Sequence, residues 1–426
     1  MATRDNRRRS LHRCTAKAMR IFVVLFLAAF LAHAARAQTY TVIHNFSGGG
    51  DGRTPTAGVT LDAAGNLYGT ANYGGNVGGN CGAQGCGVLY RLSNHGSNWI
   101  LTPLYSFHGG NDGMTPLRAN VTIGPDGNLY STTSLGGGSC DSNNQGCGTV
   151  FKLQPPAAAC QSVSCPWTET ILHSFDGDDG ASPLGALLFD QSGNLDGATN
   201  SGSLRNGGTI FQLDASGGYM EDILFHPYGY PGSSVTMDHA GNLYGSTSIA
   251  MNGPGAIYEL TFSGLNWTET QLYAFTGGSD GAYPQAGVIL DQAGNLYGAT
   301  SAAGSGNGGT VFELSPSAGG WTYTVLYSFT GHGSGMTVGP IGNLVMDSSG
   351  NLYGTTFIDG AFGRGAVFKL TPSDGGWSYT SLHDFTNGAD GGFPYSNLVF
   401  DANGTIYGTA STGGAFGDGV VFQITP

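Results

Sequence analysis

"DAAGNLYGTA", residues 62–71, is one of seven copies of a phrase whose recurrence decides the fold. The others are "GPDGNLYSTT" (124–133), "DQSGNLDGAT" (190–199), "DHAGNLYGST" (238–247), "DQAGNLYGAT" (291–300), "DSSGNLYGTT" (347–356) and "DANGTIYGTA" (401–410). Aligned on the position of Asn66, they recur at 128, 194, 242, 295, 351 and 405, a period of about 56 residues. A regular period of that length signals a repeat architecture and overrides a domain count guessed from chain length. Asp opens six of the seven copies, and Gly precedes the Asn position in all of them. Asp can bond its own backbone two residues on, and Gly can take a positive φ, so the pair specifies a tight hairpin. A ligand-binding Asp box is the competing reading, but turn chemistry alone accounts for both residues.

Around each hairpin lie four short runs rich in Val, Ile, Tyr, Phe and Thr, residues suited to a packed, pleated surface. In the fifth unit they are "AGVIL", "LYGAT", "GTVFEL" and "WTYTVLYSF", separated by turns. Helical periodicity is absent from 38–426, which reads as all-β. All five Trp (99, 167, 267, 321 and 377) fall in the fourth run, eight residues before a Phe, with Tyr219 at the matching place in the third unit. A sugar-stacking platform is conceivable, but one ring per unit at fixed spacing points to core or inter-unit packing.

The last unit ends at "VVFQITP" (420–426), its third strand, while residues from Gln38 read "QTYTVIHNFSGGGDG", the fourth-strand pattern of "WTETQLYAFTGGSDG" (267–281). One strand, six complete units and three final strands make seven sheets of four. Closing them into a ring removes the exposed edges of an open array. The expectation is a seven-bladed β-propeller whose last blade is completed by the N-terminal strand.

Residues 1–37 precede that strand and carry a basic segment, the apolar run "IFVVLFLAAFLA" (21–32) and "ARA" (35–37). This is the pattern of a cleaved secretory signal, and the run is too short to span a bilayer. The domain plan is thus a leader, 1–37, and a propeller, 38–426, that is extracellular or periplasmic. The leader holds eight of the 15 Lys and Arg and one of the 28 Asp and Glu, leaving 7 against 27 and a formal charge of −20. Nucleic acid, which demands basic clusters, is excluded as an expected partner, and an anionic membrane surface is disfavoured. Six cysteines remain as local pairs: Cys81 with Cys86, Cys140 with Cys147, and Cys160 with Cys165. Fifteen connectivities are open, and in an oxidising compartment three local disulfides are expected. A thiolate zinc site is the weaker alternative, since the spacings are not the usual two residues.

The phrases "GNLYGTT", "GTVFEL" and "LYSFTGGSDGAYP", repeated across 38–426, resemble the secreted tandem-repeat proteins called GloVer, known from environmental bacteria. That resemblance implies export, and in many members a C-terminal anchoring segment that is not evident before Pro426. It implies no established reaction and no catalytic residues. More distantly, "DQAGNLYGAT" is similar to strand phrases of NHL and gluconolactonase-like propellers, whose metal ligands have no identifiable counterparts here.

In a four-stranded blade the inter-blade turns and the loops between second and third strands emerge on one face. The turns "GGGDGRTP", "GGNDGMTP", "DGDDGASP", "GGSDGAYP" and "NGADGGFP" would place Asp51, Asp112, Asp179, Asp280 and Asp390 around one rim. Tyr73, Phe357, Phe362 and Phe416 lie in the long loops of that face. These nine residues are the candidate ligand-binding set, because function concentrates on loops held by a rigid scaffold. Turn chemistry competes for the Asp residues. No calcium-loop spacing is present, so no metal or cofactor is assigned. His44, His173 and His383 read as strand residues, and Glu169, Glu269, Glu259 and Glu313 as solvated-face residues. No nucleophile, zinc or nucleotide motif occurs. The expected function is a monomeric, non-catalytic module binding a carbohydrate or protein at the loop face. The alternative is an extracellular propeller enzyme, a lyase or hydrolase acting on polysaccharide or a lactone, with any site beside the divergent third unit or along the central channel.

Overall fold

A computed structural model describes residues 38–425 except 97, 139, 141–145, 157–165, 204–206, 228, 251–252 and 332–337. The leader expected at 1–37 therefore lies outside the described residues. So do Cys160 and Cys165, and the bridge expected between them is not among the disulfides of the described residues. Tyr40–Thr425 forms one compact unit.

Seven antiparallel sheets stand in a ring, and among the described residues the only helical turns are two of 3-10 type at Gly79–Cys81 and Gly110–Asp112. Blade 5 shows the plan: Ile289–Leu290 is the inner strand, followed by Leu296–Thr300, Thr310–Ser317 and the outer strand Gly320–Ser328. Blades 3 and 4 carry one extra short strand each, Ala181–Pro183 and Gly229–Pro231, paired with the second strand. Blade 7 consists of Val399–Phe400, Ile406–Ala410 and Val420–Thr425, and its outer strand is Thr39–Asn45. The chain is a seven-bladed β-propeller closed by its N-terminal strand. Phe46 N–H donates to the Gly419 carbonyl (3.0 Å), tying the N-terminal strand into blade 7, and Thr409 Oγ1 donates to the Ala57 carbonyl (2.7 Å), joining blade 7 to blade 1.

The repeated phrase forms the hairpin between the first two strands. Asp291 Oδ1 accepts from Ala293 N (2.8 Å) and Asn295 N (2.9 Å), and Oδ2 from Asn295 Nδ2 (2.8 Å) and the Tyr297 hydroxyl (3.2 Å). Partial burial pushes this carboxyl up, but the bonds from Asn295, Ala293 and Tyr297 outweigh it and hold the pKa below the ordinary value. Gly294 adopts φ 84°, a left-handed conformation natural to glycine. Where Gly124 replaces the Asp, Asp126 receives Asn128 Nδ2 (2.5 Å) and the Tyr130 hydroxyl (2.8 Å) instead.

The core lies between blades. Phe107, Phe175, Phe275, Phe329 and Phe385 end outer strands and meet the third-strand rings Phe151, Phe211, Phe312, Phe368 and Phe422 of the next blade edge-to-face. Phe46 meets Tyr90 in the same way across the closure. The Trp position also serves packing: Trp99 lies edge-on to Tyr407 of blade 7, and Trp321 to Tyr244 of blade 4.

Candidate functional site

Inter-blade turns and second-to-third loops do share a face, since backbone bonds tie them together. Gly75 N donates to Gly49 O (2.9 Å), Gly137 N to Gly110 O (2.8 Å) and Gly414 N to Gly388 O (2.8 Å). Two loops on this face are cross-linked, Cys81 to Cys86 and Cys140 to Cys147, with Cα separations of 4.8 and 5.5 Å.

The five rim carboxylates are engaged in their own turns. Asp280 accepts from Thr276 N (2.7 Å), Thr276 Oγ1 (2.6 Å) and the Tyr273 hydroxyl (3.1 Å). Asp51 accepts from Ser47 N (2.9 Å) and contacts His44 Nε2 (3.2 Å), while Asp390 receives Thr386 N (2.9 Å) and contacts His383 Nε2 (3.1 Å). Asp112 bonds the Tyr105 hydroxyl and His108 N, and Asp179 contacts His173 Nε2 (2.9 Å) and accepts from Asp176 N (2.8 Å). His44, His173 and His383 are indeed strand residues, and each also braces the turn seven or six residues on. Burial lowers the pKa of His44 and His383 against the opposing pull of their Asp partners.

The braces at Asp112, Asp179, Asp280 and Asp390 continue into the next blade, and the Tyr327 position of blade 5 does the same. Tyr323 stacks on Tyr273 at 4.0 Å and 9°, Tyr379 on Tyr327 at 4.8 Å and 13°, and Tyr40 on His383 at 3.7 Å and 9°. In blades 2 and 3 the stacking position holds Glu169 and Glu221, which reach Tyr105 (3.1 Å) and His173 (3.3 Å). These acids are not solvated-face residues. The outer strand of one blade leans over the turn of the preceding one, so its W+2 side chain enters the seam. Burial, and then the adjacent Asp112, push Glu169 up to about 10; burial and Asp179 push Glu221 up to about 8. Glu259 and Glu313 are likewise half-buried and accept from the hydroxyls of Tyr244 (2.9 Å) and Tyr297 (3.3 Å), and Glu269 is half-buried as well.

His173, Asp179 and Glu221 bring three metal-capable atoms within 4.8 Å of one another. The equivalent trio one seam away is Tyr105, Asp112 and Glu169, so a repeated hydrogen-bonded latch accounts for the arrangement. Asp196, which replaces the hairpin Tyr in blade 3, is fully buried; Oδ1 accepts from Gln212 Nε2 (2.9 Å), and burial pushes it up to about 7.

A cavity of about 580 Å³ opens on the loop face. Its wall draws on blades 1, 2, 3, 4, 5 and 7, and only the axis of a ring is common to so many blades. From the segments entering the inner strands come Thr54, Arg118, Tyr230, Gln285 and Tyr395; from the ends of second strands come Asn72, Tyr73, Asn200 and Ser248. Of the nine candidate residues, Tyr73 lines this cavity. Phe357 packs behind it, 4.5 Å from the Tyr395 ring. Phe362 and Phe416 stand exposed on their loops, and none of the five Asp residues reaches the cavity wall.

Arg118 is the residue that motif reading missed. Both its Nη atoms lie 3.3 Å from Gln285 Oε1, and its guanidinium sits 5.0 Å from the centre of the Tyr395 ring. Burial pulls its pKa down, with Tyr395 opposing. A signal existed in the spacing. Six units separate the inner-strand Pro from the buried Val or Leu that follows by four residues, as in Pro55–Val59 and Pro284–Val288, whereas Pro116–Val121 spans five.

Two overlapping stretches, 80–289 and 230–426, match the model of a family described as the Gloeobacter/Verrucomicrobia repeat. The chain belongs to that family. Its repeats are the GloVer-type tandem units that the sequence phrases resemble. No curated protein matches the chain in sequence. Among solved structures it is similar to a gluconolactonase candidate (14% identity, TM-score 0.41, covering 72% of this chain and 87% of that one). It is also similar to a glucose dehydrogenase candidate from Thermus thermophilus (14%, 0.44, 91% and 100%) and to a 6-phosphogluconolactonase candidate from Bacteroides uniformis (15%, 0.47, 76% and 84%). At these scores the likeness says nothing about activity.

Proposed function

We propose that this repeat protein is an exported, non-catalytic binding module that takes its ligand at the axial cavity of the loop face, a carbohydrate being the class the cavity wall suits best. The observation that carries this reading is the cavity itself. Its volume falls within the roughly 300–1,000 Å³ of small-molecule sites, and side chains from six blades converge on it. Asn72, Asn200, Ser248 and Thr54 supply amide and hydroxyl partners for sugar hydroxyls, and Tyr73, Tyr230 and Tyr395 supply ring faces. The rim carboxylates contribute by stiffening the turns around the opening.

A glycan and protein-ligand array, followed by product analysis of each bound glycan, tests this. The expected result is retention of a glycan without turnover, weakened by Tyr73→Ala. Persistent release of cleavage products would favour the extracellular enzyme instead. Export is supported by the basic and apolar leader and the local disulfides. N-terminal sequencing of material from the medium should begin at Gln38, and a chain beginning at Met1 there would defeat it.

A further inference from the structure

Arg118 combines three properties. It lies in the Pro116–Val121 segment, which is one residue longer than its counterpart in the other six units, and it is held at φ 53°, a left-handed conformation uncommon for a bulky side chain. Its side chain lines the axial cavity that opens on the loop face. Among the described residues no carboxylate stands within ion-pair distance of it, and its guanidinium is met by a neutral amide oxygen and an aromatic face. Beyond the leader the chain has only 7 basic residues against 27 acidic ones, so a cation without an anionic partner at the axis is conspicuous. Backbone strain concentrated at a site is grounds for a functional hypothesis.

We propose that the axial cavity selects an acidic saccharide, a uronate-bearing sugar whose carboxylate docks on the Arg118 guanidinium. This rests on the cavity being the binding site. The planar guanidinium presents paired N–H donors that match the two oxygens of a carboxylate. Gln285 Oε1 holds the fork in place and yields to the stronger, charged acceptor. The ring of Tyr395 fixes the far face of the guanidinium, and Asn72 Nδ2 and Asn200 Oδ1, whose other amide atoms are bonded to Thr56 and Pro231, remain for hydroxyls. The acidic exterior repels anions from the surface, so selectivity must come from this single cation.

The test is calorimetry on the full chain with trigalacturonate, with neutral galactotriose and with an acidic dipeptide. Arg118→Gly tolerates the positive φ and removes the charge, while Arg118→Lys retains the charge without the fork. Thermal unfolding confirms that each variant folds. Trigalacturonate should bind the parent chain, more weakly as salt rises, and lose about 10- to 100-fold in affinity in Arg118→Gly. Arg118→Lys should fall between. Equal binding of trigalacturonate to the parent and Arg118→Gly, or preference for galactotriose, would overturn the selectivity and leave the cavity as the binding site. Preference for the dipeptide would overturn the saccharide assignment. Binding insensitive to both Arg118→Gly and Tyr73→Ala would remove the axial site altogether.

Discussion

Gly298 lies opposite Phe312 across the strand pair, and a Cβ there would come within 2.5 Å of the Phe ring. The same relation binds Gly354 to Phe368 and Gly408 to Phe422, so the glycine of "LYG" is the space that the third-strand ring fills. Gly298→Ala should therefore cost about 1–3 kcal/mol, read from denaturant midpoints at constant slope. An unchanged midpoint would mean the ring moves aside freely. Glu169 supplies a prediction in pH. Its folded pKa, about 10, lies above the ordinary 4.5, so the fold holds a proton that the unfolded chain releases. Its contribution is full below pH 4.5 and is lost as pH rises through 10. Glu169→Gln imitates the neutral acid and should flatten the decline of stability between about pH 5 and 10 relative to the parent. A parallel pair of curves would show the acid to be ionised in the fold.

At the level of strands, the seams between blades carry the energetics. Tyr323 belongs to one blade, yet it stacks on Tyr273 and gives its hydroxyl to the Asp280 carbonyl (2.6 Å) in the turn between the blades. Tyr323→Ala should cost roughly 3 kcal/mol, the usual scale for deleting a packed ring. A double-mutant cycle with Tyr273→Ala should return a coupling of about 0.5–1.5 kcal/mol, and additivity would deny the stack any energy of its own. The register also slips by a bulge between third and outer strands in blades 1 to 6, for example at Val311/Phe312. Such bulges sharpen twist, and here each accompanies the turn of an aromatic ring into the seam.

For the whole molecule, closure is the critical event. Without Thr39–Asn45 the strand Val420–Thr425 becomes an open edge, with buried Val421 and Phe422 beside it. Deleting 39–46 while keeping residues 1–38 should give a chain that associates in size-exclusion chromatography and loses near-ultraviolet dichroism. A monomeric peak with parental unfolding would show that six and three-quarter blades suffice. The ring also creates the axial cavity, so the ligand binding proposed for it should be lost when closure is lost, even where individual blades persist.

Hairpins, blade count and the shared last blade were legible in the sequence because their causes are local. Asp291 and the groups it binds lie within six residues, and the strand alternation needs only its own neighbours. The Cys81–Cys86 bridge, five residues apart, was legible for the same reason. The site was only partly so. Tyr73 emerged because it sits on a loop of the right face, and the extra residue before Val121 was present as a spacing. What sequence could not convey was destination. Glu169 meets Tyr105 across 64 positions, and Arg118 meets Gln285 across 167. Those encounters depend on how blades lean together around an axis, a consequence of closing the ring and of no single stretch of chain.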